Sequence, residues 1–336
     1  MTKYRGRMVS DAAREIFFIF PGQGSQYRGM GADLVAEFDP AREIFDRASD
    51  VVGYDMARVC FEDPDSQLDL THITQPALVT HQMACLEAFR SLVGDDGMVV
   101  PSLTAGHSLG EYTALVAGGA LSFEDALKLV KHRGELMNEF GEGSMLATTL
   151  DLPTASALAA KYYCAIGGRN LPEQTVIAGA DGDLDAIEAD MKANHPRKRA
   201  FRLNTGGAFH TYLMVDAARR FREILAEVEF GELDVDVLSN YTGDLHESDA
   251  EAIRSRLFFQ LFNPVLWYDC MTTALDLEPH SIVEFGGGIG KGEGAAEKRP
   301  NLETIVKKSL KTTGREASYL AAINVATIRE AAESLS

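Results

Sequence analysis

The sequence is poor in the residues that serve metal, redox or membrane chemistry. Only four cysteines occur, Cys60, Cys85, Cys164 and Cys270, widely separated and without a C-x-x-C pair or a Cys/His cluster. That excludes zinc-finger and thioredoxin-like motifs, so no metal site is expected, and a few scattered thiols fit a reducing cytoplasm. No early apolar run approaches the roughly 20 residues of a membrane span; the longest is Ile16 to Phe20. Residues 1–15 contain Lys3, Arg5, Arg7 and Arg14 but no apolar segment, and read as a loose basic leader rather than a signal peptide. Positive charge is also scarce: 32 Lys and Arg stand against 50 Asp and Glu, a net charge of −18. A field of that sign repels phosphate backbones and argues against nucleic acid as a partner. What is present, 46% hydrophobic and 24% charged residues over 336 positions, is ordinary globular composition, long enough for about two domains or one with an insert.

Apolar runs alternate with helical patterns. The continuous run Ile16-Phe17-Phe18-Ile19-Phe20, closed by Pro21-Gly22, reads as a strand buried on both faces, the signature of a parallel sheet. A second strand is expected over 102–105 and others over 235–239 and 281–285. Helices are expected over 78–92, 108–116, up to about 140 from an N-cap at Ser122 with Asp125 as capping-box partner, 213–228 and 325–335. The alternation predicts an α/β fold with a parallel sheet core. Between about 142 and 208 the rhythm changes to short strands (145–150, 175–178, 200–203) and two helices (154–162, 184–193), a β-α-β-α-β pattern suited to a small inserted α+β unit of ferredoxin-like type. The expected organisation is a large catalytic domain over 16–141 and 209–336 interrupted by this insert.

One motif carries chemistry on its own. Gly106-His107-Ser108-Leu109-Gly110 is G-x-S-x-G, placed after an expected strand and before an expected helix. A tight strand-to-helix turn lifts the serine hydroxyl clear of the backbone, and the helix N-terminus behind it offers N–H groups to an oxyanion. A serine nucleophile needs a base. Of eight histidines, His107 adjoins the serine and reads as a packing or hydrogen-bonding residue. His210, flanked by Gly206, Gly207 and Ala208, and His81 both remain open as the base. No Asp or Glu presents itself as a third triad member.

The motifs Pro21-Gly22-Gln23-Gly24-Ser25-Gln26, Gly106 to Glu111, Lys131-His132-Arg133-Gly134, Ala208-Phe209-His210 and Gln260 to Val265 occur in this order. Together they resemble malonyl-CoA:acyl-carrier-protein transacylases and the discrete acyltransferases of polyketide synthases, over about residues 17–284. The resemblance implies an α/β-hydrolase-like large domain and ping-pong transfer of a malonyl group from malonyl-CoA to the phosphopantetheine thiol of an acyl carrier protein, in fatty-acid or polyketide synthesis, without cofactor or metal. It implies Ser108 as nucleophile, His210 as base and acid, the backbone carbonyl of Gln260 orienting the imidazole, and the N–H groups of Gln23 and Leu109 as oxyanion hole. It also implies Arg133 as the clamp on the malonyl carboxylate, because a planar fork of donors pairs two carboxylate oxygens at once.

Phe209 and Leu109 resemble the malonyl-selecting pattern, in which an aromatic fills the space an α-methyl would need. Asn170 is kept in Gly167-Gly168-Arg169-Asn170, although the family pattern has a second Asn there, and Thr211 replaces the usual Ser. The family's Gly-Pro-Gly turn is replaced by the glycine-rich Gly286 to Gly292, expected to be a flexible turn rather than a phosphate cradle. A monomer is expected, with a polyketide synthase served in trans as one setting and no membrane partner. The alternative function is a serine hydrolase or thioesterase of the same nucleophile-elbow type. Because carrier proteins of this kind are acidic, the cations His195, Arg197, Lys198, Arg199 and Arg202, with Lys128, Lys131 and Lys291, form a candidate docking patch.

Overall fold

The computed structural model describes residues 2–4, 7–9, 15–93 and 99–336. Of the expected loose leader, residues 1, 5–6 and 10–14 lie outside that description; Thr2–Tyr4 (β1) and Arg7–Val9 (β2) pair as a short antiparallel hairpin.

Five strands form one parallel sheet: Ile16–Phe20 (β3), Leu103–Gly106 (β4), Asp236–Val237 (β9), Ser281–Phe285 (β10) and Ser318–Ala322 (β11), in the spatial order β11-β10-β3-β4-β9. β3 is central and all five of its residues are buried. The alternating sides of the pleat divide its apolar run between two cores. Phe18 and Phe20 pack with Phe89 and Phe285 on one face, and Phe17 and Ile19 with Trp267 and Met271 on the other. A strand covered on both faces has no polar side to expose, which is why the run is uninterrupted. The register of β3 with β4 sets Phe20 opposite Gly106. The loops leaving the carboxyl ends of these neighbouring strands, Pro21 to Gln26 and His107 to Leu109, are therefore side by side, where parallel α/β sheets present their ligands.

The second sheet is antiparallel: Ser144–Thr148 (β5), Ala165–Leu171 (β6), Gln174–Gly179 (β7) and Ala200–Leu203 (β8), ordered β6-β7-β5-β8. Leu146 and Ile177 pack against the helices Leu152–Lys161 and Asp181–Asn194, while their neighbours Met145, Val176 and Ala178 join the main core. The order is β-α-β-β-α-β, so the expected β-α-β-α-β pattern lacked a strand. β6 was invisible because its centre is Gly167-Gly168, residues of poor strand propensity, and its pairing with β7 is irregular. β6 also bonds across to the larger unit: Arg169 N–H donates to Val265 C=O at 2.8 Å and Val265 N–H to Gly167 C=O at 3.1 Å.

Two local expectations are corrected. Ser122 Oγ accepts the Asp125 N–H at 3.0 Å, but the Asp125 carboxylate accepts from the Ser122 hydroxyl and not from its N–H, so the cap is one-sided rather than a full capping box. Gly286 to Gly288 are buried rather than a flexible turn. Gly286 and Gly287 have φ of 72° and 68°, and a Cβ on Gly287 would lie 2.6 Å from Ser25 Oγ. Glycine is needed there for close packing against the loop after β3.

Candidate active site

The serine stands on a strained turn. Ser108 has φ of 51°, in the left-handed region, between the end of β4 and the helix Gly110–Ala117. The chain can turn so sharply because the flanking residues have no side chains: a Cβ on Gly106 would meet Gly110 backbone at 1.8 Å, and one on Gly110 would meet Phe20 C=O at 2.2 Å. Asn240, at the end of the segment after β9, holds the turn at both ends. Its Oδ1 accepts the Ser108 N–H at 2.5 Å and its Nδ2 donates to Gly106 C=O at 2.8 Å. Among the described residues neither the Gln23 N–H nor the Leu109 N–H has a hydrogen-bond partner. Both stay available beside the serine, on the two adjacent loops.

His210, not His81, faces the serine. Its Nε2 lies 2.7 Å from Ser108 Oγ, and its Nδ1 lies 2.8 Å from the C=O of Gln260. A carbonyl only accepts, so the ring proton sits on Nδ1 and Nε2 is left with a lone pair toward the serine hydroxyl. Burial, then the Arg133 charge, push the His210 pKa down to about 3, which keeps the imidazole neutral and able to take a proton. The hydrolase alternative expects a carboxylate at Nδ1; here a main-chain carbonyl occupies that place. His81 is buried elsewhere, accepting from Gly287 N–H at 3.0 Å and packed edge-on to Tyr27.

Arg133 is fully buried, in the helix Phe123–Glu139, yet no carboxylate among the described residues is within ion-pair distance of it. Its fork is held by neutral acceptors: Nη1 donates to Gln75 Oε1 at 2.9 Å, and Nη2 to Gln260 Oε1 at 3.1 Å and to Ser108 Oγ at 3.2 Å. The Tyr112 ring lies against it, 5.6 Å from Cζ to centroid. Burial pulls the Arg133 pKa down while Tyr112 and Glu111 push it back up. A desolvated guanidinium beside a nucleophile and without its own anion is a site for a substrate anion.

The remaining expected residues frame this centre. Phe209 is buried, its ring against Gly207. Asn170 Oδ1 lies 2.9 Å from His107 Nε2, tying β6 to the nucleophile turn, so His107 is the hydrogen-bonding residue expected. Gln23 Nε2 donates to Thr71 Oγ1 at 3.3 Å. Sequence reasoning missed Gln75, Asn240, Glu111 and His246. Glu111 is a buried carboxylate in the first turn of a helix otherwise without charge. That isolation was the available signal, because a buried charge needs partners. Three cations of the expected patch are neutralised: Lys198 pairs with Glu173, Arg202 with Asp185 and Glu188, and Lys128 with Asp125. Arg197 and Arg199 stay exposed without an ion pair among the described residues.

A strand-to-helix serine, a histidine oriented by a carbonyl and an unpaired buried arginine define an acyl-transfer centre. Residues 17–286 match the acyl transferase domain family, and the chain belongs to it. It is 36% identical over 283 residues to the malonyl CoA-acyl carrier protein transacylase of Bacillus subtilis (strain 168), covering 82% of this chain and 87% of that one. It is 35% identical over 284 residues to a polyketide biosynthesis malonyl CoA-acyl carrier protein transacylase of Bacillus velezensis, covering 81% and 93%. Among solved structures, the malonyl CoA-acyl carrier protein transacylase of Clostridium perfringens superposes with a TM-score of 0.84 at 30% identity, over 96% of this chain and 97% of that one. A malonyl-transacylase in complex with its type II polyketide-synthase acyl-carrier protein gives 0.83 at 33% identity, over 95% and 99%.

Proposed function

We propose that the protein transfers malonyl groups from malonyl-CoA to the phosphopantetheine thiol of an acyl carrier protein, in fatty-acid or polyketide synthesis. The observation that carries this reading is Arg133, buried with no carboxylate among the described residues within ion-pair distance and 3.2 Å from Ser108 Oγ. A pocket for an uncharged acyl chain has no need of a desolvated guanidinium, which is costly to hold without a partner.

The Ser108 hydroxyl attacks the malonyl thioester carbon as His210 Nε2 accepts its proton. The N–H groups of Gln23 and Leu109 donate to the oxyanion of the tetrahedral intermediate. Collapse expels the CoA thiolate, which takes the proton from His210. The carrier thiol then attacks the malonyl-serine ester, with His210 first base and then acid returning the proton to Ser108 Oγ. Arg133 pairs with the free malonyl carboxylate throughout, with Gln75 and Gln260 holding the fork flat. Phe209, Leu109 and Asn170 bound the acyl side of the site. This chemistry uses no cofactor and no metal.

The parallel sheet with its serine at a strand-to-helix turn supports an α/β-hydrolase-like description of the large domain, 16–141 and 209–336. The β-α-β-β-α-β order supports a ferredoxin-like one for 142–208. Four unpaired cysteines suit the cytoplasm, and no described helix is long and apolar enough to cross a membrane. We read the protein as a monomer that meets its carrier, including one on a polyketide synthase, in trans.

The test is intact-protein mass spectrometry after incubation with mixed acyl-CoAs. The expected result is a malonyl adduct on Ser108 that disappears when holo carrier protein is added. Release of free malonate at the same rate without carrier would favour the hydrolase instead.

A further inference from the structure

Beneath the catalytic residues lies a buried carboxylate with no part in the chemistry above. Glu111 is fully buried, as is His246 beside it. Its Oε2 accepts from Gln260 Nε2 and from the Asn240 N–H, both at 2.9 Å, and its Oε1 accepts from His246 Nε2 at 2.8 Å. Gln260 Nε2 also donates to Ser108 C=O at 2.9 Å, while its Oε1 accepts from Arg133 Nη2.

A glutamine amide can sit either way round, and its neighbours choose. With Nε2 and Oε1 exchanged, an NH2 would face the Arg133 guanidinium, donor against donor, and an oxygen would face the Glu111 carboxylate and Ser108 C=O, acceptor against acceptor. An ionised carboxylate has no hydrogen to give, so it admits one orientation only. Glu111 therefore places a carbonyl oxygen against Arg133. It also sets a full negative charge one amide away from the guanidinium, near enough to support its ionisation. A carboxylate bonded directly to Arg133 would do the same but would occupy the donors that a substrate carboxylate needs.

Building on the malonyl-transfer reading, we infer that Glu111 is a positioning residue for acyl recognition: acting through the Gln260 amide, it is the relayed counter-charge that keeps Arg133 oriented and its fork open to a carboxylated acyl group. Two further donors at Glu111, the Asn240 N–H and His246 Nε2, and the Ser108 C=O that accepts from Gln260 Nε2, fix the relay in place without touching the substrate side of the guanidinium.

The test compares single-turnover acyl-enzyme formation from malonyl-CoA and from acetyl-CoA. Glu111→Gln should lower the malonyl-to-acetyl ratio about tenfold or more, because only the malonyl group uses the oriented fork. In a Gln260→Ala background the same substitution should change the ratio little, since the relay is already absent. Glu111→Asp keeps the charge and should restore part of the ratio; should Glu111→Gln fail to fold, Glu111→Asp with and without Gln260→Ala carries the comparison, expected to lower the ratio only where Gln260 is present. An equal fall for both substrates, an unchanged ratio, or the same drop in both backgrounds would overturn the inference. Absence of a malonyl adduct on the unsubstituted protein would instead sink the malonyl-transfer reading itself.

Discussion

Replacing Arg133 with alanine separates acyl recognition from acyl transfer. The side chain, itself buried, supplies two terminal nitrogens now held by Gln75 and Gln260. A malonyl carboxylate pairing with that fork gains two charge-assisted hydrogen bonds, each worth about 1.5–3 kcal/mol. Removing one partner of such a buried pair costs about 3–5 kcal/mol. At about 1.4 kcal/mol per decade, kcat/KM for malonyl-CoA should fall about 10²- to 10⁴-fold. Acetyl-CoA has no carboxylate, so its slow loading should stay within a few-fold. The pH profile gives an independent reading. The Arg133 charge helps depress His210, and His210 must be neutral to act as base, so activity is lost as pH falls through its pKa. Without Arg133 that pKa rises and the acid limb moves to higher pH. The assay is stopped-flow or quenched acylation with each thioester across pH. Equal losses for malonyl and acetyl groups would refute the clamp, because they would mean Arg133 serves the nucleophile and not the carboxylate.

Phe209→Ser should raise methylmalonyl relative to malonyl loading by about 1–3 kcal/mol, roughly 5- to 150-fold, measured in competition; an unchanged ratio would mean that the ring does not border the acyl site. Stability should fall below about pH 6.5. Burial lowers His81 to about 4 and His210 to about 3, so the unfolded chain binds the extra protons first, and each histidine removes ~1.4 kcal/mol per pH unit down to its folded pKa. Glu284, raised by burial to about 7, works oppositely, its contribution being present at low pH and lost as pH rises toward 7. The balance still favours the histidines, so urea midpoints should be lower at pH 5.5 than at pH 7.5; a higher midpoint at pH 5.5 would contradict it. Arg197→Glu with Arg199→Glu should slow transfer to an acidic carrier more than loading from CoA, and more so at low salt; equal slowing of both half-reactions would remove these cations from carrier docking.

What could be read from the sequence, and what could not, follows from how each residue acts. β3 was legible because five buried residues in a row need no partner to be recognised, and the serine because its turn demands glycine at fixed offsets, Gly106 and Gly110. Arg133 was legible only through the resemblance, since an arginine beside Lys128 and Lys131 reads as a solvated helix face, and nothing local reveals that it points inward. β6 and β11 escaped because Gly167-Gly168 and the half-buried Ser318–Ala322 carry little apolar alternation. Their strand state is imposed by the neighbours they pair with.

The same logic explains why the relay under the serine was missed. Asn240 meets Ser108 across 132 positions and Gln260 meets Glu111 across 149, and each acts through one polar group whose meaning depends on what the fold brings opposite it. Gln260 shows this most clearly. Its main-chain carbonyl holds His210, which any residue type could supply, while its side chain joins Arg133, Ser108 and Glu111. Only the second task requires glutamine, because it needs an acceptor and a donor on one planar group. The carbonyl that replaces a triad carboxylate thus leaves the identity of residue 260 free to be set by acyl recognition. In this site the acceptor that orients His210 and the acceptor that holds the Arg133 fork therefore belong to a single residue, and on the proposed reading a substitution there should disturb selectivity before it disturbs the histidine.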